Sequence, residues 1–178
     1  ETRLSTVPRR YEIAPLEASF PLRPTRESDS AWITPDYPVE DWPQFQIGKT
    51  STGFPDIQLR IAFHLDRIPE ESLVLDAGSF DDFDICYLNG VKLGETTPSN
   101  TDPEQAWKKR RRYPIPPGVL KSGENILAIR AWNRNGKTKG WQVQIRGPIL
   151  LRNADDDLLQ PYFGKYRTSD DPYQLRQW

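Results

Sequence analysis

The chain is poor in the residues on which most catalytic and metal sites depend, with one cysteine, one histidine and no methionine among 178 residues. Cys86 has no partner for an internal disulfide, and the apolar run around it predicts a buried, unreactive thiol. His64 is not accompanied by a Gly-x-Ser-x-Gly motif, so a Ser-His-Asp triad has almost no support. Spacings typical of zinc sites and of phosphate-binding loops are also missing. We therefore expect that the chain is not an enzyme.

A long apolar run and an excess of one charge are missing as well. No stretch reaches the roughly 18 apolar residues that a membrane-spanning helix needs. The formal net charge is -1, so the general attraction to polyanions is absent and we expect no nucleic-acid partner. Since the first residue is not Met, we expect the chain to be a piece of a longer protein.

The sequence is instead rich in alternating apolar residues, which indicate strands with one buried face. Between residues 57 and 65 the predicted buried positions are Ile57, Leu59, Ile61, Phe63 and Leu65, and the wetter ones are Gln58, Arg60, Ala62 and His64. Similar patterns occur at 127–132 and 141–146, with turn signals between them. Short strands with frequent turns predict an all-β, antiparallel β-sandwich of the jelly-roll type.

A tight hairpin is predicted at residues 83–95, where two strand-like runs are separated by Asn89-Gly90. This dipeptide favours a type I′ turn, because both central residues need a positive φ. The ends of the chain lack such patterns. We predict a lead-in segment at 1–15, the sandwich at 16–152, and an extended tail at 153–178 with a short helix over 154–160.

Three segments resemble the galactose-binding-like jelly roll: Asp81 to Glu95, Arg112 to Pro116, and Leu120 to Arg130. They are similar in particular to the accessory domains of sialate O-acetylesterases and to the sugar-binding domain of glycoside hydrolase family 2. The residues around Trp32 and Trp42 resemble the entry to the same domain. The resemblance covers residues 20–151 and implies a non-catalytic domain that binds carbohydrate or another small ligand.

A narrower resemblance involves Ser28 to Trp32, Pro35 to Trp42, and Arg146 to Leu150. These segments are similar to extracytoplasmic sensor domains of bacterial membrane-anchored serine phosphatases and histidine kinases. The resemblance implies an extracytoplasmic location, periplasmic or on the cell surface, and a membrane helix or effector domain outside this chain. Residues 171–178 would then lead to the membrane.

A sugar site needs aromatic faces for the pyranose ring and planar polar groups for its hydroxyls. Trp107, on the loop 96–112, is the leading aromatic candidate, although a loop Trp folded onto the core fits equally well. Trp132 should point away from the face of Leu127 and Ile129, whereas Trp32 and Trp42 are expected to be packing residues. The predicted ligand-binding residues are Trp107, Lys109, Arg111, Asp82, Asp84 and Trp132.

The basic run 108–112 supplies Lys109 and Arg111, which in an extended segment would share a side with Tyr113. Arginine binds carboxylates bidentately, so an acidic sugar or an acidic protein surface is one interpretation. The other is a solvated patch that balances Asp81, Asp82 and Asp102.

No cofactor is expected. Asp81, Asp82 and Asp84 offer oxygen ligands for a structural calcium ion, but a solvated turn is the favoured interpretation. The segment from Asn153 is not an EF-hand, because Leu158 and Gly164 stand where glycine and glutamate are required.

Two functional hypotheses follow. The leading one is a non-catalytic extracytoplasmic sensor or ligand-binding domain of a membrane-anchored signalling protein. The alternative is a carbohydrate-binding accessory domain of a secreted glycoside hydrolase or esterase. A homodimer is compatible with both, because exposed sheet faces can self-associate.

Overall fold

The computed structural model describes residues 10–14, 18–48 and 51–154. These ranges contain twelve strands, two short 3-10 helices at Ala31–Ile33 and Ala106–Lys108, and one helix, α1, at Gly136–Lys139. The strands are β1 (Arg10–Ala14), β2 (Ser19–Pro24), β3 (Gln44–Gln46), β4 (Asp56–Leu65), β5 (Leu73–Asp76), β6 (Ser79–Phe80), β7 (Phe83–Leu88), β8 (Val91–Thr96), β9 (Arg112–Pro114), β10 (Gly123–Trp132), β11 (Ile145–Arg146) and β12 (Ile149–Asn153). Within the described ranges, no helix is long and apolar enough to cross a membrane.

The strands form two main antiparallel sheets. The smaller sheet has the order β1-β12-β5-β9 and the larger sheet has the order β3-β2-β4-β10-β7-β8. A third, two-stranded sheet pairs β11 with β6. The inner faces of the two main sheets share one continuous core. The predicted all-β antiparallel sandwich is therefore confirmed.

The core is built on β4 and β10, which pair along their whole length. Leu127 lies opposite Ile61 and Ile129 lies opposite Leu59, and none of these four side chains is accessible to solvent. Leu75, in the smaller sheet, belongs to the same buried cluster. Since fully burying one such side chain contributes about 1.5–3 kcal/mol, the contacts between the two facing sheets are strongly stabilising.

The outer face of the larger sheet differs from the prediction. Ala62 and His64 are exposed as predicted, but Gln58 and Arg60 are buried, at 1% and 3% exposure. The physical reason is residues 25–42, here called the outer strap, which cross this face of the sheet. Trp32 and Trp42 of the outer strap are buried in one cluster with Ala128. The prediction that both tryptophans serve packing is thereby confirmed.

Two arginines hold the outer strap in place. Arg60 donates hydrogen bonds to the carbonyl oxygens of Trp32 (2.5 Å), Thr34 (2.6 Å) and Pro35 (3.0 Å). Arg23 lies over the ring of Trp42, with 4.1 Å from its guanidinium carbon to the ring centroid. Because each guanidinium is a planar fork of several donors, one side chain can bind several groups of the strap at once.

The hairpin turn between β7 and β8 is confirmed. Asn89 has a φ of 50° and Gly90 has a φ of 82°, as a type I′ turn requires. The Asn89 side chain also donates to Val119 O (2.8 Å) and to Oδ1 of Asn125 (2.9 Å), and its Oδ1 accepts the Ile126 amide (2.9 Å). The turn is therefore fastened to the segment that leads into β10.

Two predicted boundaries differ in the structure. The strand pattern at 141–146 yields only the two residues of β11, because the Val143 backbone bonds to Phe54 O (2.8 Å) and Thr52 N (3.0 Å) of a loop instead of extending a sheet. At the start of the chain, β1 pairs with β12, so the smaller sheet begins inside the predicted lead-in. The predicted helix over 154–160 lies almost wholly outside the described residues.

Candidate functional site at the loop end

Three loops meet at one end of the sandwich, here called the loop end. They are residues 77–82, which connect β5 to β7 and contain the two residues of β6, residues 97–111, between β8 and β9, and residues 133–144, between β10 and β11. The register explains why they meet, since Trp132 at the end of β10 lies opposite Phe83 at the start of β7, and Asp84 lies opposite Thr96 at the end of β8. All six predicted binding residues lie in or beside these loops.

Two of the predicted binding residues form an internal ion pair. Arg111 and Asp84 have no exposed surface, and Arg111 Nε donates to Asp84 Oδ1 at 2.5 Å. The other four Arg111 donors bind the carbonyl oxygens of Ala106, Lys109, Phe80 and Asp82. All five guanidinium N–H groups are thus used inside the protein. The prediction that Arg111 and Asp84 contact a ligand is wrong for this structure, as is the alternative of a solvated patch at Arg111 and a solvated turn at Asp84.

The second oxygen of Asp84 completes a buried network. It accepts a hydrogen bond from the Tyr113 hydroxyl (2.8 Å), which also bonds to Thr96 Oγ1 (2.9 Å). Arg111 and Tyr113 therefore share a side, as the alternation in the basic run predicts, whereas Lys109, predicted to lie on the same side, is exposed. Cys86 is buried next to Asp84, and burial, followed by the Asp84 charge, raises the pKa of its thiol. The predicted burial of Cys86 is confirmed.

The neighbouring Arg110 is also engaged in the interior. Arg110 Nε donates to Oδ1 of Asp76 (3.0 Å), and Arg152 donates to Oδ2 of the same carboxylate (3.0 Å). Burial alone would raise the pKa of Asp76, but the hydrogen bonds and charges of Arg110 and Arg152 outweigh it, so this pKa is lowered. Lys109 behaves differently, because it is exposed and donates to Thr101 Oγ1 (2.9 Å). The basic run is thus split between interior arginines and exposed lysines.

Trp107 remains partly exposed at the loop end. Arg146 of β11 lies 5.1 Å from its ring centroid, and Lys108 lies 4.9 Å from it on the adjacent position. Cations within about 6 Å of an aromatic face are attracted to it, so these contacts hold the ring in place. The structure does not support the alternative that Trp107 is folded into the core, because its side chain is only half-buried.

Two aspartates complete this surface. Asp82 is almost fully buried and accepts the Arg134 amide (3.0 Å), while Asp81 accepts a bond from Asn133 Nδ2 (3.2 Å). Arg134 also pairs with Glu104 through both terminal nitrogens (2.6 and 3.0 Å). We call Asp81, Asp82, Trp107, Arg134 and Arg146 the rim cluster.

The carboxyl of Asp81 has an unusual proton affinity. Burial, followed by its hydrogen bond and charge interaction with Asp82, raises the pKa of Asp81 to about 6, against the opposing charges of Arg146 and Arg134. Near neutral pH this group can therefore act as a hydrogen-bond donor in part of the molecules and as an acceptor in the rest. The rim cluster combines an aromatic face, planar cationic donors and carboxylate acceptors, the groups that recognise a sugar ring.

Trp132 occupies a different place from the rim cluster. As predicted, it points away from the face of Leu127 and Ile129, and its ring packs on Phe83 (5.7 Å) with Arg130 above it (5.3 Å). Its backbone carbonyl, not its ring, meets Asp82 N (3.1 Å). Trp132 therefore belongs to the outer face of the larger sheet.

The sequence did not single out Arg134 and Arg146. Arg134 lies in a turn and Arg146 in a short strand pattern, and neither position carries a signal that separates it from other surface arginines. Among the described residues, no group of three or more His, Cys, Asp or Glu side chains is arranged to hold a metal ion.

Comparison with known proteins gives a family and a fold. A family model described as the second all-β domain of β-galactosidase matches residues 27–137. The β-glucuronidase of an uncultured Clostridium species is similar over 80% of this chain and 28% of its own, with 13% identity and a TM-score of 0.55. A Faecalibacterium prausnitzii β-glucuronidase is similar over 84% of this chain and 32% of its own, with 11% identity and a TM-score of 0.59.

A β-glycosidase from Bacteroides vulgatus is similar over 80% of this chain and 20% of its own, with 15% identity and a TM-score of 0.57. At these identities the likeness shows the β-sandwich fold. The chain spans between 20% and 32% of the length of these three structures. No curated protein sequence matches the chain.

Proposed function

The chain belongs to the family of the second all-β domain of β-galactosidase, and from this membership we propose that it is a non-catalytic accessory domain of a larger glycoside hydrolase. In this role the loop end contacts carbohydrate without cleaving it. The proposal is the alternative of the two hypotheses drawn from the sequence. It replaces the sensor hypothesis as the leading one, because the family and the named structural neighbours are glycosidases.

The observation that carries the proposal is the family match over residues 27–137, which includes the whole loop 97–111 with Trp107. The chain also corresponds to a minor part of each neighbouring structure, as an accessory domain would. A hydrolytic role finds no support in the neighbouring carboxyl groups of Asp82 and Asp84. Asp84 is fully engaged by Arg111 and Tyr113, so it is not available to act with Asp82 as an acid and base pair.

Within the rim cluster, Trp107, Arg146 and Asp81 are the proposed ligand contacts, whereas Asp82 and Arg134 hold the loops through the Arg134 amide and the Arg134–Glu104 pair. Trp107 is half-buried and offers the part of its ring that Arg146 and Lys108 leave uncovered to the apolar side of a pyranose, and Arg146, which lies over the ring, donates to the hydroxyls of the sugar. Asp81, at the neighbouring loop, accepts or donates according to its protonation. Lys109, exposed nearby and bonded to Thr101 Oγ1, adds a positive charge at the edge.

A binding experiment tests this proposal. The whole chain is applied to a glycan array, and bound glycans are then titrated with Trp107→Ala and Arg146→Gln. We expect each variant to weaken binding about ten-fold or more, as for residues at the centre of a contact. Ile68→Ala is the control, because Ile68 is 52% exposed and lies between β4 and β5, at the opposite end of the sandwich from the loop end. Unchanged binding by Trp107→Ala would contradict the proposed site, and release of sugar from nitrophenyl glycosides would contradict the non-catalytic role.

The sensor hypothesis is separated from this one by the full-length reading frame. A membrane helix directly after Trp178 would favour the sensor, whereas an adjoining catalytic domain would favour the accessory domain. The extracytoplasmic location stays a proposal that the same reading frame tests through a leader sequence. The proposed homodimer is tested by light scattering on the purified chain.

A further inference from the structure

A pocket of about 200 Å³ lies on the outer face of the larger sheet, and none of its lining residues belongs to the rim cluster. One wall is the beginning of the outer strap, and the other is formed by side chains of β7 and β10. The pocket is formed by the outer strap and by outward side chains of the larger sheet, whereas the rim cluster is formed by the loops of the loop end.

The register explains how the floor of the pocket forms. Arg130 lies directly opposite Ile85 on one side and Gln58 on the other, so a row of outward side chains crosses three strands. In the next row Tyr87 lies opposite Ala128. Because alanine is small, the Trp32 ring of the strap can pack down on the sheet at that point. This leaves a depression with two sides. One side is formed by Trp32 and Tyr87, here called the aromatic corner, and the other by Gln58 and Arg130, here called the polar row.

The aromatic corner is rigid. Trp32 is 6% exposed, and its ring meets the Tyr87 ring edge-on, with the ring centroids 6.1 Å apart and the planes at 81°. This is the edge-to-face geometry that aromatic pairs prefer. Trp32 therefore fixes the half-buried Tyr87, and Tyr87 and Ile85 supply apolar surface to the pocket.

The polar row is preorganised by ion pairs. Arg130 binds Asp56 through Nε (3.2 Å) and Nη2 (2.8 Å), and Nη2 lies 3.6 Å from the exposed Glu27 carboxylate. Within the described part of the chain, Nη1 of Arg130 makes no hydrogen bond. The two bonds to Asp56 thus fix the plane of the guanidinium, and Nη1 can donate to a ligand oxygen.

The charges around the pocket cancel. Arg26 and Arg130 line it together with Glu27 and Asp29, two positive and two negative groups. Asp29 is already bonded by Tyr37 and by Arg23 (2.9 Å), which lower its pKa. A charged ligand would add a charge that no group of the pocket is left to balance, and this costs affinity. A neutral ligand with many hydroxyls adds no such charge.

We propose that this pocket binds a single neutral pyranose unit, with the sugar's apolar face on Tyr87 and its hydroxyls on Arg130 and Glu27. The volume agrees, since pockets for drug-sized ligands measure roughly 300–1,000 Å³ and a pocket of about 200 Å³ suits a smaller ligand. The inference shares with the proposed function only the class of ligand, and its site is separate from the rim cluster.

The test is a titration of the isotope-labelled whole chain followed by backbone amide NMR. The probes are methyl β-glucoside and methyl β-glucuronide, which differ only at C6, where the first carries a hydroxymethyl group and the second a carboxylate. We expect the glucoside to shift the amides of residues 25–33 and of Arg130 with a Kd of roughly 1–10 mM. The glucuronide should bind about ten-fold more weakly or worse. Comparable or tighter binding of the glucuronide would overturn the assignment of a neutral ligand.

Two variants locate the site. Ser30→Trp places a bulky ring at an exposed position of the pocket wall and should weaken glucoside binding at least ten-fold, while Glu70→Trp, at an exposed position outside the pocket, should change nothing. Arg130→Lys keeps the charge opposite Asp56 but loses the planar fork, and should weaken binding about five-fold. Full binding by Ser30→Trp or Arg130→Lys would overturn the pocket. If binding depends on Trp107 alone, the pocket inference fails and the proposed function stands.

Discussion

Arg111 donates from Nε to Oδ1 of Asp84 at 2.5 Å, and neither side chain is exposed. The pair joins the end of the loop 97–111 to β7, next to the start of that strand. Since Arg111 also binds the carbonyl oxygens of Ala106 and Lys109, it holds the backbone on both sides of Trp107. The buried Arg111 side chain thus anchors the loop that carries the proposed sugar contact.

Removing this charge should cost much of the stability of the domain. Arg111→Met leaves Asp84 buried without its counter-charge, and we expect a loss of about 3–5 kcal/mol in the free energy of unfolding. Adding Asp84→Asn removes the uncompensated charge and should recover part of that loss. Urea unfolding measures all three proteins. Lys109→Met, next in the run but exposed, is the control and should stay within about 0.5 kcal/mol of the original chain. A double variant no more stable than Arg111→Met would contradict the ion-pair account.

The hairpin turn allows conformational strain and hydrogen bonding to be separated. A Cβ at Gly90 would have open space, with Ile33 O as the nearest atom at 3.9 Å, so Gly90→Ala tests the positive φ of 82° alone and should cost about 1 kcal/mol. Asn89→Gly keeps the turn but removes the bonds to Val119, Asn125 and Ile126, and should cost about 2–3 kcal/mol. Urea unfolding measures both variants. If Gly90→Ala lowers the urea midpoint more than Asn89→Gly does, the turn conformation stabilises the hairpin more than the side-chain bonds do.

The inner faces of the strands could be predicted from sequence because their pattern depends only on the period of two. Leu59 and Leu127 fall on the buried face for that reason alone. The outer face could not, because Gln58 and Arg60 are buried by the outer strap, which approaches from a distant part of the chain. Alternation reports which residues share a face, but it does not report whether a second layer covers that face.

The candidate site was predictable only in part for the same reason. Trp107 was found because an aromatic residue on a long loop is visible in the sequence. The buried state of Arg111 follows from Asp84 on another strand, and the contact of Arg146 with Trp107 depends on how β11 meets the loop. Such pairings are set by tertiary packing, so a run of basic residues cannot reveal which of its members face inward.

The Asp81 carboxyl predicts a dependence of stability on pH. Its pKa is raised from 3.8 to about 6 on folding, by burial first and then by Asp82, so the folded chain holds this proton more tightly than the unfolded chain. The contribution is fully present below pH 3.8 and is lost as pH rises through about 6. Asp81→Asn removes the titrating group and should be about 1 kcal/mol more stable than the original chain at pH 8, after allowance for solvent screening at this half-buried site.

Urea unfolding of both proteins at pH 4 and pH 8 measures that difference. Near pH 4 the two stabilities should converge, because the carboxyl is then protonated in the folded chain and binds Asn133 much as the amide would. Asp36→Asn, at an exposed position of the outer strap, serves as the control and should show no such trend. A constant difference between Asp81→Asn and the original chain across this range would contradict the raised pKa.

Arg60 should control the outer strap specifically. Arg60→Met removes the donors to three strap carbonyl oxygens, at Trp32, Thr34 and Pro35, and we expect a loss of about 2 kcal/mol together with easier local opening of residues 25–42. Trypsin reports the opening, because the exposed Arg26 lies at the start of the strap and its cleavage product can be identified by mass. Lys121→Met, exposed at the opposite end of the sandwich, is the control and should cleave after Arg26 at the original rate. Since the strap forms one wall of the pyranose pocket, Arg60→Met should also weaken glucoside binding. Cleavage after Arg26 that is no faster in Arg60→Met would mean that the tryptophans and Arg23, not Arg60, hold the strap on the sheet.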